Sequence, residues 1–452
     1  MDVVGMFKPV TKYSTMITSP DMLSHHLRRA LRLALTGRPG PVHLNVPVDL
    51  WNSAVDERWF DPSTYRPSTH VFDRNAVRRA AEELLSAHHP ALLVGSGVGA
   101  SGAEEHVLSL AELLPARVAT TPRGKGLFPE DHPLSLGVFG FAGHRHARDL
   151  LLGSEVDVLF TVGASLNETT TFNWNEGLRP SRTLIQLDIE ADRVGRNYPV
   201  DVPLVGDAQT ILIELIYQTH RMMRESSVPM SSWAEVPLLD RDRDRYLDPD
   251  LRASGAFPLT PQRWRVDLQE VLPEDAILFS DIGGHMLFNL HHLRVGQRQK
   301  FFINLGFGSM GHGVAAPIGA ALARPSTPVI AIVGDACFTM NGMELLTAAE
   351  YEIPVIWIVE NNQMHGITWH GSQLVGSGRA MQSIVYRRSV QIASMARAMG
   401  LKSWTVERPG QIKEVFAEAL RERGPALIEG RVDERIAPPL ADRAKTIAGF
   451  KG

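Results

Sequence analysis

Only one cysteine, Cys337, stands among the 452 residues, so no disulfide can form within the chain, and a reducing compartment, the cytoplasm, is the expected location. Long apolar runs are also missing. The richest stretches, Ala91 to Val94 and Pro328 to Val333, each stop at a glycine, far short of the ~18 residues of a membrane span. Met1 to Thr11 has no apolar segment of the secretory kind, so no leader is expected. Neither sign of charge dominates: 46 Lys+Arg against 50 Asp+Glu leaves −4, which gives no basic excess for binding nucleic acid. With 44% hydrophobic residues the chain is neither disordered nor repetitive, and its length suits about three domains.

From Met22 to Thr36, apolar Leu23, Leu27, Ala30, Leu31 and Ala34 recur at helical spacing, and Val42 to Val46 reads as a strand. One helix and one strand cannot close a core, so residues 1–65 are expected to be part of a domain whose remainder lies elsewhere. From 66 to 220, strand-like runs at Ala91 to Val94, Ala116 to Ala119, Val156 to Val162 and Thr183 to Leu187 alternate with helical or loop segments, ending near Ile216. That rhythm predicts a Rossmann-like parallel sheet covered on both faces. Residues 221–257 shift to Arg, Asp, Ser and Pro, including Asp240 to Arg245, and read as a solvated linker or a charged helix. From 258 to 452 a third α/β region is predicted, with buried strands at Ala276 to Ser280, Val329 to Val333, Pro354 to Val359 and Ala426 to Arg431 and helices at Gly342 to Tyr351 and Gln411 to Arg423. The fold class is therefore α/β, built of three-layer parallel-sheet domains.

Chemistry concentrates between Val329 and Gly366. One strand ends in Gly334-Asp335-Ala336 and a second delivers Asn361-Asn362 to the same edge, where open α/β sheets bind ligands. Asp335 and Asn362 are 27 positions apart, about one strand-helix-strand crossover. One carboxylate, one amide oxygen and a backbone carbonyl suit magnesium that also takes phosphate oxygens and water. The spacing alone is equally compatible with two ordinary turns. Upstream, four glycines fall between Gly306 and Gly313, a loop that lets backbone groups approach a ligand closely.

These segments, with Thr11-Lys12-Tyr13, Gly37 to Pro41, Thr120 to Gly126, Asp281-Ile-Gly-Gly-His285 and Gly308-Ser-Met310-Gly311 in the same order, resemble the acetolactate synthase-like family of thiamin-diphosphate enzymes along nearly the whole chain. The resemblance implies that Asp335, the amide oxygen of Asn362 and the carbonyl of Met364 hold magnesium. It places Gly334, Ala336, Cys337, Gly284, His285, Gly366 and Ile367 along the cofactor, and Met310 under the bend between its rings. The Gly308 carbonyl would accept a hydrogen bond from the pyrimidine amino group. By the same likeness the thiamin-diphosphate-binding fold is expected, acting on a pyruvate-like 2-oxo acid with transfer of the acyl unit to an acceptor, as in acetolactate synthase. A simple decarboxylase and a noncatalytic cofactor-binding subunit are the alternatives.

One departure stands out. Family members activate the cofactor with a glutamate in the first half of the pyrimidine-binding domain, whereas the first glutamate here is Glu57. A small subunit carrying that segment and its glutamate, in a dimer of heterodimers, is the expectation, with a truncated start or a cofactor-binding relic as the other readings. Where flavin-using synthases resemble Arg-Phe-Asp-Asp-Arg, this chain has Ala164-Ser-Leu-Asn-Glu168, which makes FAD doubtful. Gly95 to Ala100 follows a strand but no acid caps the next one, so nicotinamide is not expected, and Gly124-Lys125-Gly126 reads as a turn. His25-His26 and His291-His292 are adjacent pairs expected at the surface or at caps. His365 and His370 follow the magnesium loop and are candidates for proton transfer or for a loop-stabilising hydrogen bond, and Cys337 for a small buried residue.

Overall fold

The computed structural model describes residues 1–55, 60–65, 71–225, 245–374 and 382–440, which form three wholly parallel sheets. In the first, β1 (Tyr13–Met16) pairs with β2 (Val42–Asn45), and α1 (Leu23–Leu35) lies between them in sequence. The helix and β2 match the sequence reading. β1 escaped it because Ser14 and Thr15 break any apolar run and the strand is only half-buried. Among the described residues before Phe72, Ile17 and Ala30 are the buried hydrophobic side chains, while Leu27, Leu35, Val48 and Trp51 are exposed. A two-stranded sheet of this size has no core of its own.

Alternating burial explains the second sheet. It comprises β3 (Pro90–Val94), β4 (Arg117–Thr120), β5 (Ser135–Val138), β6 (Val158–Val162), β7 (Thr183–Asp188) and β8 (Val202–Val205), in the order β5-β4-β3-β6-β7-β8. Leu92 and Val94 of β3 enter one core cluster, with α2 (Arg74–Leu85) and α3 (Ala208–Glu225). Ala91 and Leu93 enter the cluster on the opposite face. Helices and loops thus cover both faces, as the continuous apolar runs require. The unpredicted strands, β5 and β8, are short, and β8 alternates buried with exposed residues.

Two boundaries differ from expectation. α3 continues to Glu225, past the end near Ile216, so the first part of the supposed linker is helical. Glu57 and residues 240–244 of the charged run lie outside the described residues. At the far end of that run Arg245 and Tyr246 are buried, not solvated. Arg245 is ion-paired with Glu130, which also takes Lys125, so charged composition here marks a buried network between domains. Lys125 is more than a turn residue: it is fully buried and donates to the carbonyl of Leu290, 3.2 Å away.

The third sheet orders β9 (Ile277–Ser280), β10 (Lys300–Ile303), β11 (Val329–Gly334), β12 (Val355–Asn361), β13 (Lys402–Val406) and β14 (Ala426–Arg431) as β10-β9-β11-β12-β14-β13. Successive residues of β11 serve opposite cores, Ile330 and Ile332 on one face and Val329, Ala331 and Val333 on the other. After β9 the chain crosses to β10 on one side and then returns to β11 on the other. The order therefore reverses between β9 and β11, and a crevice opens beyond their carboxyl ends.

Helix α4 (Gly284–His292) follows β9, and every residue from His285 to His292 is buried. His291 and His292 are therefore interior, against the surface or capping expectation. Their rings meet edge to face with centroids 4.6 Å apart, and Nδ1 of His291 donates to the Gly143 carbonyl at 3.1 Å. A helix enclosed on all sides buries consecutive positions, which a one-face helical pattern does not anticipate. No helix of the described residues is long and apolar enough to cross a membrane.

Candidate active site

Three strand ends build the crevice. β9 leads through Asp281 and Gly283 into α4, β11 into α6 (Asp335–Asn341), and β12 into the Asn361–Gly366 loop and α7 (Gly366–Leu374), while α5 (His312–Ala323) begins just after the glycine-rich loop. Across β11 and β12, Gly334 pairs in register with Glu360, so Asp335 and Asn362 leave the sheet from neighbouring positions. A cleft of about 50 Å3 collects Gly284, His285, Met310, Gly334, Asp335, Ala336, Cys337, Asn362, Met364, His365, Gly366 and Ile367 on one lining. Gly308 is the named residue absent from it. It lies two residues before Met310 in a turn with φ +67°, donating to the Asn304 carbonyl at 3.2 Å.

The carboxylate of Asp335 is the electrostatic centre. Its Oδ1 accepts from the N–H of Ala336 at 2.7 Å, and the backbone N–H groups of Gln363 and Met364 face it. Yet Oδ2 is buried without a well-formed hydrogen bond. Burial, reinforced by the nearby charge of Glu360, pushes this carboxyl up to about 7. A cation against Oδ2 would reverse that shift, and a magnesium ion fits the donor set of carboxylate, amide and carbonyl oxygens. Among the described residues no cluster of three or more His, Cys, Asp or Glu could hold a metal alone, so any ion here needs oxygens from a ligand or water.

Close approach explains two glycines. The ring of His285 stands over Gly334, where a Cβ would come within 2.7 Å of Nδ1. The side-chain amide of Asn362 packs on Gly366, where a Cβ would sit 2.5 Å from its nitrogen, while its Oδ1 accepts from Met364 N at 3.3 Å. Nε2 of His285 is buried without a partner beside the same cleft, and burial lowers its pKa to about 3, which keeps the ring neutral. Cys337 is buried, as expected, and its thiol donates to the Ile282 carbonyl at 3.1 Å. Burial and two carboxylates push that thiol far above its usual range.

His365 and His370 part company. His365 stays half-buried on the cleft lining with its ring edge-on to Tyr386, centroids 5.9 Å apart. His370 turns away, its Nε2 3.0 Å from the Glu434 carbonyl, which matches the loop-stabilising role. Sequence reasoning missed Arg265, which is fully buried and ion-paired with Glu360, and which donates to Asn289 Oδ1 at 3.0 Å and to the carbonyl of His285 at 2.9 Å. The visible signal was Glu360 itself, a carboxylate closing an apolar strand that has to be paired once buried.

Two larger cavities lie along the carboxyl edge of the central sheet. One, of about 570 Å3, is bounded by Arg38, Arg123 and Asp188, so the first sheet's turn contributes to it. Its neighbour, of about 520 Å3, includes Ala164, Ser165 and Asn167 and reaches Ile367 of the cleft.

Residues 77–215 match the thiamine pyrophosphate enzyme central domain, and residues 281–430 match the C-terminal TPP binding domain of the same enzymes. The chain is 32% identical to a probable acetolactate synthase large subunit from Methanocaldococcus jannaschii, over 97% of this chain and 74% of that protein. Against the isozyme 3 large subunit of acetolactate synthase from Escherichia coli K12 the identity is 29%, over 93% and 73%. A crystal structure of benzoylformate decarboxylase from Polynucleobacter necessarius shares the fold, with a TM-score of 0.79 at 23% identity over 97% of this chain and 79% of that one.

Proposed function

The chain belongs to the thiamine pyrophosphate enzyme family, and from that premise we propose that it decarboxylates a pyruvate-like 2-oxo acid and transfers the acyl unit to an acceptor carbonyl, as the large subunit of a heteromer. The observation that carries this reading is the buried, unpaired Oδ2 of Asp335 beside the amide of Asn362. Relatives named as acetolactate synthase large subunits support the carboligase and the partner.

In this reading Asp335, the side-chain oxygen of Asn362 and the carbonyl of Met364 hold Mg2+, which neutralises a diphosphate. Gly284, His285, Gly334, Ala336, Cys337, Gly366 and Ile367 line the diphosphate's path, their small or neutral groups allowing close approach. The cleft is small, about 50 Å3, so it would hold the ion and the groups that ligate it, and Met310 on its lining would contact the rest of the cofactor. Thiamin diphosphate, when bound, supplies the electron sink for the charge left on the acyl carbon as carbon dioxide departs. Met310 restricts the relative orientation of the rings, the Gly308 carbonyl accepts a hydrogen bond from the pyrimidine side, and His365 carries a proton to or from a substrate oxygen.

The test is to supply the chain with thiamin diphosphate, Mg2+ and pyruvate, with and without a candidate small subunit. Carbon dioxide release together with an acetolactate-type product supports a carboligase. Carbon dioxide with free aldehyde as the sole product would identify a decarboxylase, and absence of Mg2+-dependent cofactor binding by the mixture of both chains would overturn the reading.

A further inference from the structure

Met310 stands on the cleft lining immediately before Gly311, and Gly311 is the N-cap of α5. Helix N-termini leave backbone N–H groups without intrahelical partners, and usually a Ser, Thr, Asp or Asn at the cap position accepts them. Here the cap residue is a glycine with φ +90° and offers no side chain. The acceptor comes instead from Asp281, 30 residues upstream at the end of β9. Its Oδ2 accepts from Gly311 N at 2.9 Å and its Oδ1 from the same N–H at 3.2 Å, and the N–H of Gly313 also faces the carboxylate.

This cap is built into the sheet. The N–H of Asp281 donates to the Ile332 carbonyl of β11 at 3.1 Å, and Oδ1 also accepts from Ile282 N at 2.7 Å. Gly313 presses so closely on the backbone of Asp281 that an added Cβ would come within 2.8 Å of the aspartate's own Cβ. Asp281 is buried and faces a helix N-terminus, where a negative charge is favourable. The adjacent Ile282 carbonyl takes the Cys337 thiol of α6. One short segment therefore ties both the Met310 loop and the start of the Asp335 helix to the strands.

We propose that Asp281 is a positioning residue: by capping α5 from a different strand it fixes where the helix begins, and so holds the Met310 side chain at the place where it acts on the conformation of bound cofactor. This rests on the reading of Met310 given above. Loss of the carboxylate frees the loop without removing any group that touches the cofactor, so turnover falls while cofactor affinity holds.

Asp281→Asn keeps the size of the side chain and removes the charge and one acceptor. In the full chain labelled with 13C-methyl methionine, the Met310 resonance should move towards the averaged position of a mobile side chain, and the Gly311 amide should exchange faster. In the assembled enzyme kcat should fall about tenfold to a hundredfold, with the thiamin diphosphate dissociation constant changed by no more than about threefold. Asp281→Asn/Met310→Ala should be no slower than Met310→Ala alone, because both remove the same contribution. Should Asp281→Asn fail to fold, Asp281→Glu, which keeps the charge but displaces the cap, carries the same comparison. An unmoved Met310 resonance, or losses that add in the double variant, would overturn the proposal. If Met310→Ala leaves kcat unchanged, the role of Met310 falls, while the resonance in Asp281→Asn still reports whether the tether exists.

Discussion

Gly334 and Glu360 face one another in register across β11 and β12, and Asp335 and Asn362, one residue beyond Gly334 and two beyond Glu360, inherit their proximity from it. Glu360 is drawn back towards Arg265, which leaves Asp335 as the carboxylate in the cleft without a cationic side chain. The site thus sets a buried carboxylate beside neutral oxygens, a donor set that suits a hard cation.

Removing that anion should separate binding from folding. In the chain assembled with its small subunit, Asp335→Ala is expected to weaken Mg2+-dependent thiamin diphosphate binding by about a hundredfold or more, measured by calorimetry. Asp335→Asn should lose affinity in the same way yet leave the metal-free chain as stable as before or more so, because the charged form is disfavoured by burial. Unchanged affinity in both variants would remove Asp335 from the metal site.

The Asp335 to Asn362 spacing was legible because adjacent parallel strands joined by one crossover deliver their carboxyl ends to the same edge. Arg265 was not legible: its bond to Glu360 spans 95 residues, and nothing local in Pro261–Gln269 announces a buried guanidinium. β13 was missed because its edge position leaves Lys402 exposed and the strand only partly apolar. The burial of His291 and His292 depends on the central domain closing over α4, through contacts such as Gly143 to His291, and helical periodicity holds no record of a neighbouring domain.

Arg265 supplies the second prediction. Both partners of its ion pair are buried, so Arg265→Met strands Glu360 without its counter-charge and should destabilise the chain by about 3–5 kcal/mol in urea unfolding. Pairing it with Glu360→Gln should recover a large part of that loss, since the remaining groups carry no buried net charge. Equal stability of the single and double variants would mean that Arg265 acts through its bonds to Asn289 and His285 rather than through the pair.

Acid sensitivity should come from the interior histidines. Burial lowers the pKa of His291 to about 4, against an ordinary value of 6.5. The unfolded chain then binds a proton that the folded chain refuses between those values. Its contribution is complete above pH 6.5 and is lost as pH falls towards 4, amounting to roughly 3 kcal/mol. The melting temperature of His291→Asn should therefore depend less on pH between 6.5 and 4, by about one proton, and a slope identical to that of the parent chain would refute the assignment.

Assembly should depend on the first sheet. Around the first sheet Leu27, Leu35, Val48 and Trp51 are exposed, and among the described residues before Phe72 only Ile17 and Ala30 are buried hydrophobic side chains, an apolar surface of the kind that seeks a partner. Relatives bear the name of large subunits. The isolated chain is therefore expected to bind thiamin diphosphate poorly and to turn over no 2-oxo acid. Mixing it with a small subunit that carries the pyrimidine-domain glutamate should give a larger species by light scattering and start carbon dioxide release. Replacing that glutamate by glutamine in the partner should leave the assembly intact and remove the activity, because the change removes an acid and not an interface. Full turnover by this chain alone would refute the heteromer and direct attention to His365, the half-buried imidazole on the cleft lining, as the group that replaces the acid.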